Sequence, residues 1–341
     1  MRPQSKGGGS DVTEAGMTPT EWISHERSKL DYGLDAGELR GMAREFDDPL
    51  IGPTVARLFD LSSAERDDRM IQNVLNAMKG GLPAEDAAML SSVPVFVYPT
   101  YKVEGVATTT PRGDKVILLH AGLPLTLSRL STLELHSHQR GDISRPMLLS
   151  ALAEISSLWE ISGGACGQAT ALDIPSINHP DAVLAGAMML IAMAFVIGHE
   201  FGHIFENHGA YSTSDKVFNH KRELFADQWG LRFALRSVFT YIARVETQPL
   251  SACKYGLLGP FLALGMIAMI APGESITHPA PSWRKDQIVA LMGGIAEGEI
   301  GEQALASFGH SIEDVGFNKT AAIGSKLFNK LELYNQLIKT L

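Results

Sequence analysis

A run of sixteen apolar and small residues leads directly into a polar motif near the middle of the chain. The run reads VLAGAMMLIAMAFVIG, from Val183 to Gly198, and HEFGH follows at once, beginning at His199. A charge-free segment of this length forms a helix that is buried on every side, in a protein core or in a membrane. The fold must therefore place two histidines and a glutamate at the end of its most apolar helix.

A second apolar segment, YGLLGPFLALGMIAMIAPG, follows between Tyr255 and Gly273 and is interrupted by Gly259, Pro260 and Gly265. Both segments fall near or below the roughly 18 to 20 uninterrupted apolar residues that a membrane span needs. We predict two buried core helices. Membrane contact is the alternative.

The overall composition narrows the class of protein. Apolar residues make up 45% of the 341 residues and charged residues 20%, as in folded globular proteins. The net charge of −9 and the lack of a Lys/Arg cluster argue against nucleic acid as a partner.

The cysteines and the first residues bear on location. Only Cys166 and Cys253 occur, far apart, which fits a reducing compartment better than a disulfide scaffold. Residues 1–17 contain no apolar core of a secretion signal, so we expect a flexible leader and a cytoplasmic protein.

Helix and strand signals alternate along the chain. Residues 18–90 are predicted to form a helical N-terminal subdomain, because TPTEWISHERSKL and SSAERDDRMIQNVLNAMKGG carry capping residues and helical periodicity. VPVFVYPTY and DKVILLHAG predict two strands joined by the polar loop KVEGVATTTPRG. The rest is mostly helical. We expect a mainly α protein with a small β-sheet (α+β), a main domain over 91–300 and a helical tail over 301–341 packed on it.

HEFGH matches the pattern HExxH, with His199 and His203 four residues apart and Glu200 beside the first histidine. On a helix such a pair lies on one face, so both imidazoles can bind one metal ion. Glu200 is then placed to take a proton from a water that the metal activates. The alternative is that the polar face of this helix simply meets solvent.

A catalytic zinc needs three protein ligands and an open position, so a third ligand is required. RELFADQWG supplies Glu223, twenty residues after His203, and Asp227 one turn later. That length allows a turn and a second helix that packs back on the first. We predict that Glu223 is the third ligand and that Asp227 accepts the free ring N–H of a ligating histidine. The alternative is an exposed helix face that includes Arg222.

THPAPSWRKDQ places His278 before a proline and Arg284 six residues after His278. A hydrolytic zinc site needs a donor for the oxyanion of the tetrahedral intermediate. A histidine or arginine in a proline-shaped loop is chemically suited to that task.

Together, HExxH, ExxAD and HP followed by an arginine resemble the gluzincin zinc metallopeptidases, and within them an M48-like group. The resemblance covers about residues 93–289. It implies a zincin-like domain with one zinc ion on His199, His203 and Glu223, and Glu200 as the base. It also implies that Asp227 supports a histidine ligand and that His278 and Arg284 stabilise the transition state.

The resemblance extends to the strands before the HEFGH helix, which are similar to the edge strand that binds substrate backbone in that family. EGVATT lacks the Asn-Ala-Phe usual there, and clear M48-type transmembrane hairpins are missing. The soluble, phage-exclusion Lit type of HExxH peptidase is an alternative relative.

The sequence therefore predicts a zinc-dependent endopeptidase that acts on a protein or peptide. One alternative is a non-catalytic zinc-containing sensor or scaffold. Another is a latent protease that a partner protein activates, with the N-terminal helices as a lid.

Overall fold

The computed structural model describes residues 14–29, 63–98, 102–140, 179–206, 214–242, 249–271, 273–296 and 317–338. The first four helices in these ranges are α1 (Pro19–Ser28), α2 (Ser63–Gly81), α3 (Ala84–Ser92) and α4 (Gly122–Arg140). The next three are α5 (His179–Phe205), α6 (Lys216–Ile242) and α7 (Pro249–Gly256). The last three are α8 (Gly259–Ile270), α9 (Pro281–Ala296) and α10 (Phe317–Ile338). The three strands are β1 (Val95–Tyr98), β2 (Gly105–Thr109) and β3 (Lys115–His120), so the predicted mainly α protein with a small sheet is confirmed.

The strands form one sheet in the order β1-β3-β2. β1 pairs with β3 in parallel and β2 pairs with β3 antiparallel, which leaves β2 at an edge of the sheet. β2 lies inside the segment that the sequence predicted as a polar loop, so that prediction was wrong there. Its β-branched residues, Val106, Thr108 and Thr109, favour a strand, but four of its five residues are half-buried and show no alternation.

The predicted helices around the chemistry are present. The run that contains HEFGH forms the 27-residue helix α5, and ELFAD lies in the equally long α6. α1 begins with the predicted capping box, in which the Thr18 hydroxyl and the Glu21 carboxylate exchange hydrogen bonds with each other's backbone. Residues 1–13 of the predicted leader lie outside the described residues, and Glu14–Gly16 form a short 3₁₀ helix. The division of the chain into domains stays a prediction.

α5 runs through the hydrophobic core. Phe195, Ile197 and Phe201 are fully buried and belong to one cluster with the α2 residues Ile71 and Val74. Two stretches, Leu184–Phe205 and Cys253–Ile270, are long and apolar enough to cross a membrane. In each stretch, 78% of the 18-residue segment with membrane-like hydropathy is buried inside the protein. The core of a protein produces the same pattern, so this length and apolarity do not require a lipid surrounding.

Candidate metal centre and active site

Three predicted ligands meet where α5 and α6 pack together. His199 and His203 project from α5, and their Nε2 atoms are 3.1 Å apart. Glu223 on α6 places one carboxylate oxygen 3.6 Å from His199 Nε2 and the other 3.4 Å from His203 Nε2. All three residues are buried, so this polar face of α5 is not exposed to solvent.

The packing of α5 on α6 depends on glycines spaced one turn apart on α5. A Cβ at Gly202 would lie 2.7 Å from the Cα of Ala226, and one at Gly198 would lie 2.9 Å from the Cα of Gly230. The two backbones are therefore in direct contact. This close approach lets a glutamate side chain on α6 reach both histidine rings on α5.

Replacing Gly202 with alanine is expected to push α6 away from α5. The contact atom is backbone, so the helix itself must move, at a cost of about 1–3 kcal/mol in unfolding free energy. Zinc affinity should fall about 10- to 100-fold, as when other supports of a ligand set are lost. Thermal unfolding and a zinc titration measure both effects.

Gly186→Ala is the matched control, because Gly186 lies on the same helix and a Cβ there meets nothing within 4 Å. This variant should bind zinc normally and gain up to about 1 kcal/mol from helix propensity. Equal zinc affinity in the two alanine variants would show that the helix spacing does not set the site.

Asp227 supports His199 from behind. Its Oδ1 is 3.0 Å from His199 Nδ1, so the ring N–H at Nδ1 donates to the carboxylate and leaves Nε2 facing Glu223. Burial alone would lower the pKa of His199, but the hydrogen bond to Asp227 and the Glu223 charge raise it above the ordinary value. The sequence predicted this contact between Asp227 and a histidine, and the role of His199 as a metal ligand stays a prediction.

Arg284 holds Asp227 in turn. Its Nε donates to Oδ2 at 2.8 Å and its Nη2 to Oδ1 at 2.5 Å, so the ion pair is bidentate. Burial would raise the pKa of Asp227, but the Arg284 guanidinium lowers it to about 2. Arg284 is only 3% exposed, with Nη2 3.4 Å from His199 Nδ1 and Nη1 3.9 Å from Glu223 Oε2, at the lining of the cleft. This position favours a supporting role, and its predicted contact with the oxyanion stays a prediction.

Arg284→Met is expected to lower zinc affinity about 10- to 100-fold, because Asp227 would lose the cation that fixes it against His199. Competition with a chromogenic chelator measures the affinity in the absence of any substrate. Arg284→Lys should recover part of the loss through its single charge, although it cannot form the bidentate pair. An unchanged affinity in Arg284→Met would rule out the supporting role.

Glu200 does not belong to the ligand group. Its Oε2 accepts a hydrogen bond from the backbone N–H of Ala107 in β2, at 2.8 Å. Burial raises the pKa of Glu200 to about 7, against the lowering effect of His199 and of that hydrogen bond. The carboxylate is thus held between the ligand helix and the edge strand, where a general base is expected.

His278 comes close to the ligands from the loop before α9. Its Nε2 is 3.6 Å from Glu223 Oε1, and its Nδ1 is 2.8 Å from the Thr277 hydroxyl. Burial lowers the pKa of this imidazole. The side chain is half exposed and lines the open side of the site.

The site opens into a cleft of about 520 Å³. Sequence reasoning missed two groups that border it. Arg222, which the sequence placed on an exposed face as the alternative, is 7% exposed and lines the cleft beside the ligands. The sequence contains one indication of this position, because Arg222 directly precedes the predicted ligand Glu223. The second group is the Ala107 N–H. Residue types cannot single out this donor, because every residue except proline has a backbone N–H.

The donor set fits a zinc ion. Two imidazole nitrogens and a carboxylate are zinc's preferred ligands, and tetrahedral bonds of about 2.0–2.2 Å separate neighbouring ligand atoms by about 3.3–3.6 Å. The two separations from Glu223, 3.4 and 3.6 Å, fall in that range, and the 3.1 Å between the histidine nitrogens is slightly shorter. In the described ranges a second group of such residues, Glu14, His25 and Glu26, lies on the surface, where Lys29 already pairs with both glutamates.

The sequence pattern of the Peptidase U49 family matches residues 170–303, which contain HEFGH, ELFAD, His278 and Arg284. No curated protein and no solved structure matches the chain. The family match supports a proteolytic function for a chain whose buried His199, His203 and Glu223 could bind a metal.

Proposed function

We propose that the chain is a zinc-dependent endopeptidase of gluzincin type, with His199, His203 and Glu223 as ligands and Glu200 as the general base. The observation that carries the proposal is the meeting of three buried donors at zinc spacing with a buried carboxylate, all beside one open cleft. A purely structural zinc site has four protein ligands and needs neither a base nor a cleft. This argues against the non-catalytic alternative.

Bound zinc would supply a Lewis acid that brings the pKa of a water molecule towards neutral. Glu200 takes a proton from the water as its oxygen attacks the scissile carbonyl carbon. It then passes the proton to the leaving amine as the carbon–nitrogen bond breaks, so the carboxylate is regenerated. The hydrogen bond from the Ala107 N–H holds Glu200 Oε2 in place. The other carboxylate oxygen is therefore the one that takes up and releases the proton.

His278 is suited to donate to the developing oxyanion. When the Thr277 hydroxyl donates to Nδ1, the ring proton resides on Nε2, the nitrogen nearer the ligands. The neutral imidazole then offers this N–H to the carbonyl oxygen of the substrate, on which the negative charge develops. Arg284 acts one step back, through Asp227 and His199.

β2 offers backbone groups to an extended substrate. His120 N–H donates to the Glu104 carbonyl and Thr110 N–H to the Asp114 carbonyl, so even-numbered residues of this stretch face β3. The backbone groups of Gly105 and the carbonyl of Ala107 therefore face the free edge, where the Ala107 N–H already donates to Glu200. A peptide that adds as a strand here passes directly beside Glu200.

Elemental analysis of the purified protein, with an assay on denatured casein, tests the proposal. About one zinc per chain and cleavage that a chelator abolishes and added zinc restores are expected. A protein that contains no zinc and does not bind it when supplied would contradict the proposal. We also propose a cytoplasmic location, a protein or peptide substrate without a nucleic-acid partner, and activation by a partner protein as the alternative to constitutive activity.

A further inference from the structure

One face of α6 is attached to the loop before α9. Four residues on this face lie three or four positions apart along the helix: Lys216, Asn219, His220 and Glu223. Each of them contacts a residue of the loop 274–278. The helix face that carries a proposed metal ligand therefore also holds the loop that carries His278.

Asn219 makes the best-buried of these attachments. Its side chain is fully buried, and its Nδ2 donates to the Ile276 carbonyl oxygen at 3.1 Å. The next residue, His220, places Nε2 3.0 Å from the Ser275 carbonyl oxygen, and its side chain is 17% exposed. Two adjacent residues of α6 thus hold two consecutive carbonyl groups of the loop.

Hydrogen bonds within the loop connect these carbonyl groups to the imidazole of His278. The Ser275 hydroxyl oxygen accepts the backbone N–H of His278 at 2.9 Å, and the Ser275 N–H donates to the His278 carbonyl oxygen at 2.9 Å. The Thr277 hydroxyl lies 2.8 Å from His278 Nδ1. A displacement of Ser275 or Ile276 would therefore move both the backbone and the ring contact of His278.

The first attachment on this face is of a different kind. Lys216 Nζ lies 2.7 Å from Glu274 Oε2, but each of the two side chains is about half exposed. Water and salt screen an ion pair of this sort, so it contributes little to a fixed geometry. The hydrogen bonds of Asn219 and His220 are better suited to fix the loop.

We propose that Asn219 and His220 are positioning residues for His278. Through the turn of residues 275–278 they keep its imidazole beside Glu223, which lies one helical turn after Asn219. Neither residue lines the cleft, yet a misplacement of about 1 Å at a reacting group can cost about 10²-fold in rate. The proposal rests on the proposed endopeptidase function and adds two residues that hold its oxyanion donor.

¹⁵N NMR of the full-length chain, labelled at its histidines, tests the positioning without any substrate. At a pH where the ring is neutral, wild-type His278 should show one tautomer with its proton on Nε2, because the Thr277 hydroxyl donates to Nδ1. Asn219→Leu keeps much of the side-chain volume and removes the donor, so its His278 should show shifts averaged over two tautomers. His278→Ala identifies the resonance.

A double-mutant cycle tests the same role on the reaction. Asn219→Leu should lower kcat on a fluorogenic peptide about 10- to 100-fold, with KM and zinc affinity within about threefold of the wild-type values. In the His278→Ala protein the same change should lower kcat less than about twofold, because the group that Asn219 positions is gone. A general effect on folding would lower kcat by the same factor in both proteins.

His220→Leu provides a second test at a less buried position. It removes the hydrogen bond to the Ser275 carbonyl oxygen and should lower kcat about tenfold, again only when His278 is present. His220→Gln, whose side-chain amide can donate to the same carbonyl, should restore most of this loss. Lys216→Gln is the matched control, because it breaks only the exposed ion pair with the same loop and should leave kcat and the NMR spectrum of His278 unchanged.

Thermal unfolding identifies the folded variants, and the outcomes on these separate the two proposals. One unchanged His278 tautomer in the Asn219→Leu or His220→Leu protein, or equal losses of kcat with and without His278, overturns the positioning role and leaves the peptidase in place. An absence of hydrolysis by the wild-type protein overturns the peptidase. The NMR result then decides alone: two tautomers in the variants support the positioning role and one tautomer overturns it.

Discussion

Glu200→Gln protein is expected to retain its zinc and to lose about 10²- to 10⁴-fold in the rate of peptide hydrolysis. Glutamine keeps the shape of glutamate, and its amide oxygen can still accept the Ala107 N–H. It cannot accept a proton from the attacking water. The measurement is kcat/KM on a fluorogenic peptide, with metal content determined on the same sample.

Glu206→Gln is a suitable control, because Glu206 follows α5 by one residue and is exposed to solvent. It should have wild-type activity. Undiminished hydrolysis by the Glu200→Gln protein would remove Glu200 from the mechanism, even with zinc bound.

Glu223→Ala is expected to lose both the metal and the activity. Glu223 is fully buried and contributes the only carboxylate of the ligand group, so its removal leaves two histidines to hold the ion. At a zinc concentration of 100 times the wild-type dissociation constant, zinc should stabilise the wild-type protein by about 2.7 kcal/mol. The variant should show almost none of this shift in thermal unfolding.

Glu223→Gln is the control for a loss of folding in the Glu223→Ala protein, because glutamine preserves the side-chain volume while removing the charge. It should melt near the metal-free wild type and still bind zinc weakly. Full zinc occupancy in the Glu223→Ala protein would mean that another residue is the third ligand. His278 would be the first to examine, since its Nε2 already lies 3.6 Å from Glu223.

The sequence predicted local relations well. His199 and His203 share a face because helix geometry alone requires it, and the capping box of α1 follows from Thr18 and Glu21. The meeting of Glu223 with this pair depends on the tertiary contact of two helices. Motif spacing indicates that contact, but it does not specify the packing of Gly202 against the α6 backbone that permits it.

Two other features could not be predicted from residue types. The strand β2 has few apolar residues and was predicted as a loop, although its pairing with β3 positions the donor at Ala107. The pattern also associated Arg284 with the reacting oxygen. Its bidentate contact with Asp227 is set by how the N-terminal part of α9 packs against α6, which motif spacing does not specify.

The contact of α5 with α8 has a consequence for synthesis on the ribosome. A Cβ at Gly259 would lie 2.6 Å from the backbone nitrogen of Ala192, so the start of α8 covers α5 without an intervening side chain. α5 is complete at Phe205, more than fifty residues before α8 starts at Gly259. During that interval a stretch with the hydropathy of a membrane span is without one of its covers. Soluble yield should therefore depend on how long chaperones shield the nascent α5 before α8 emerges and packs.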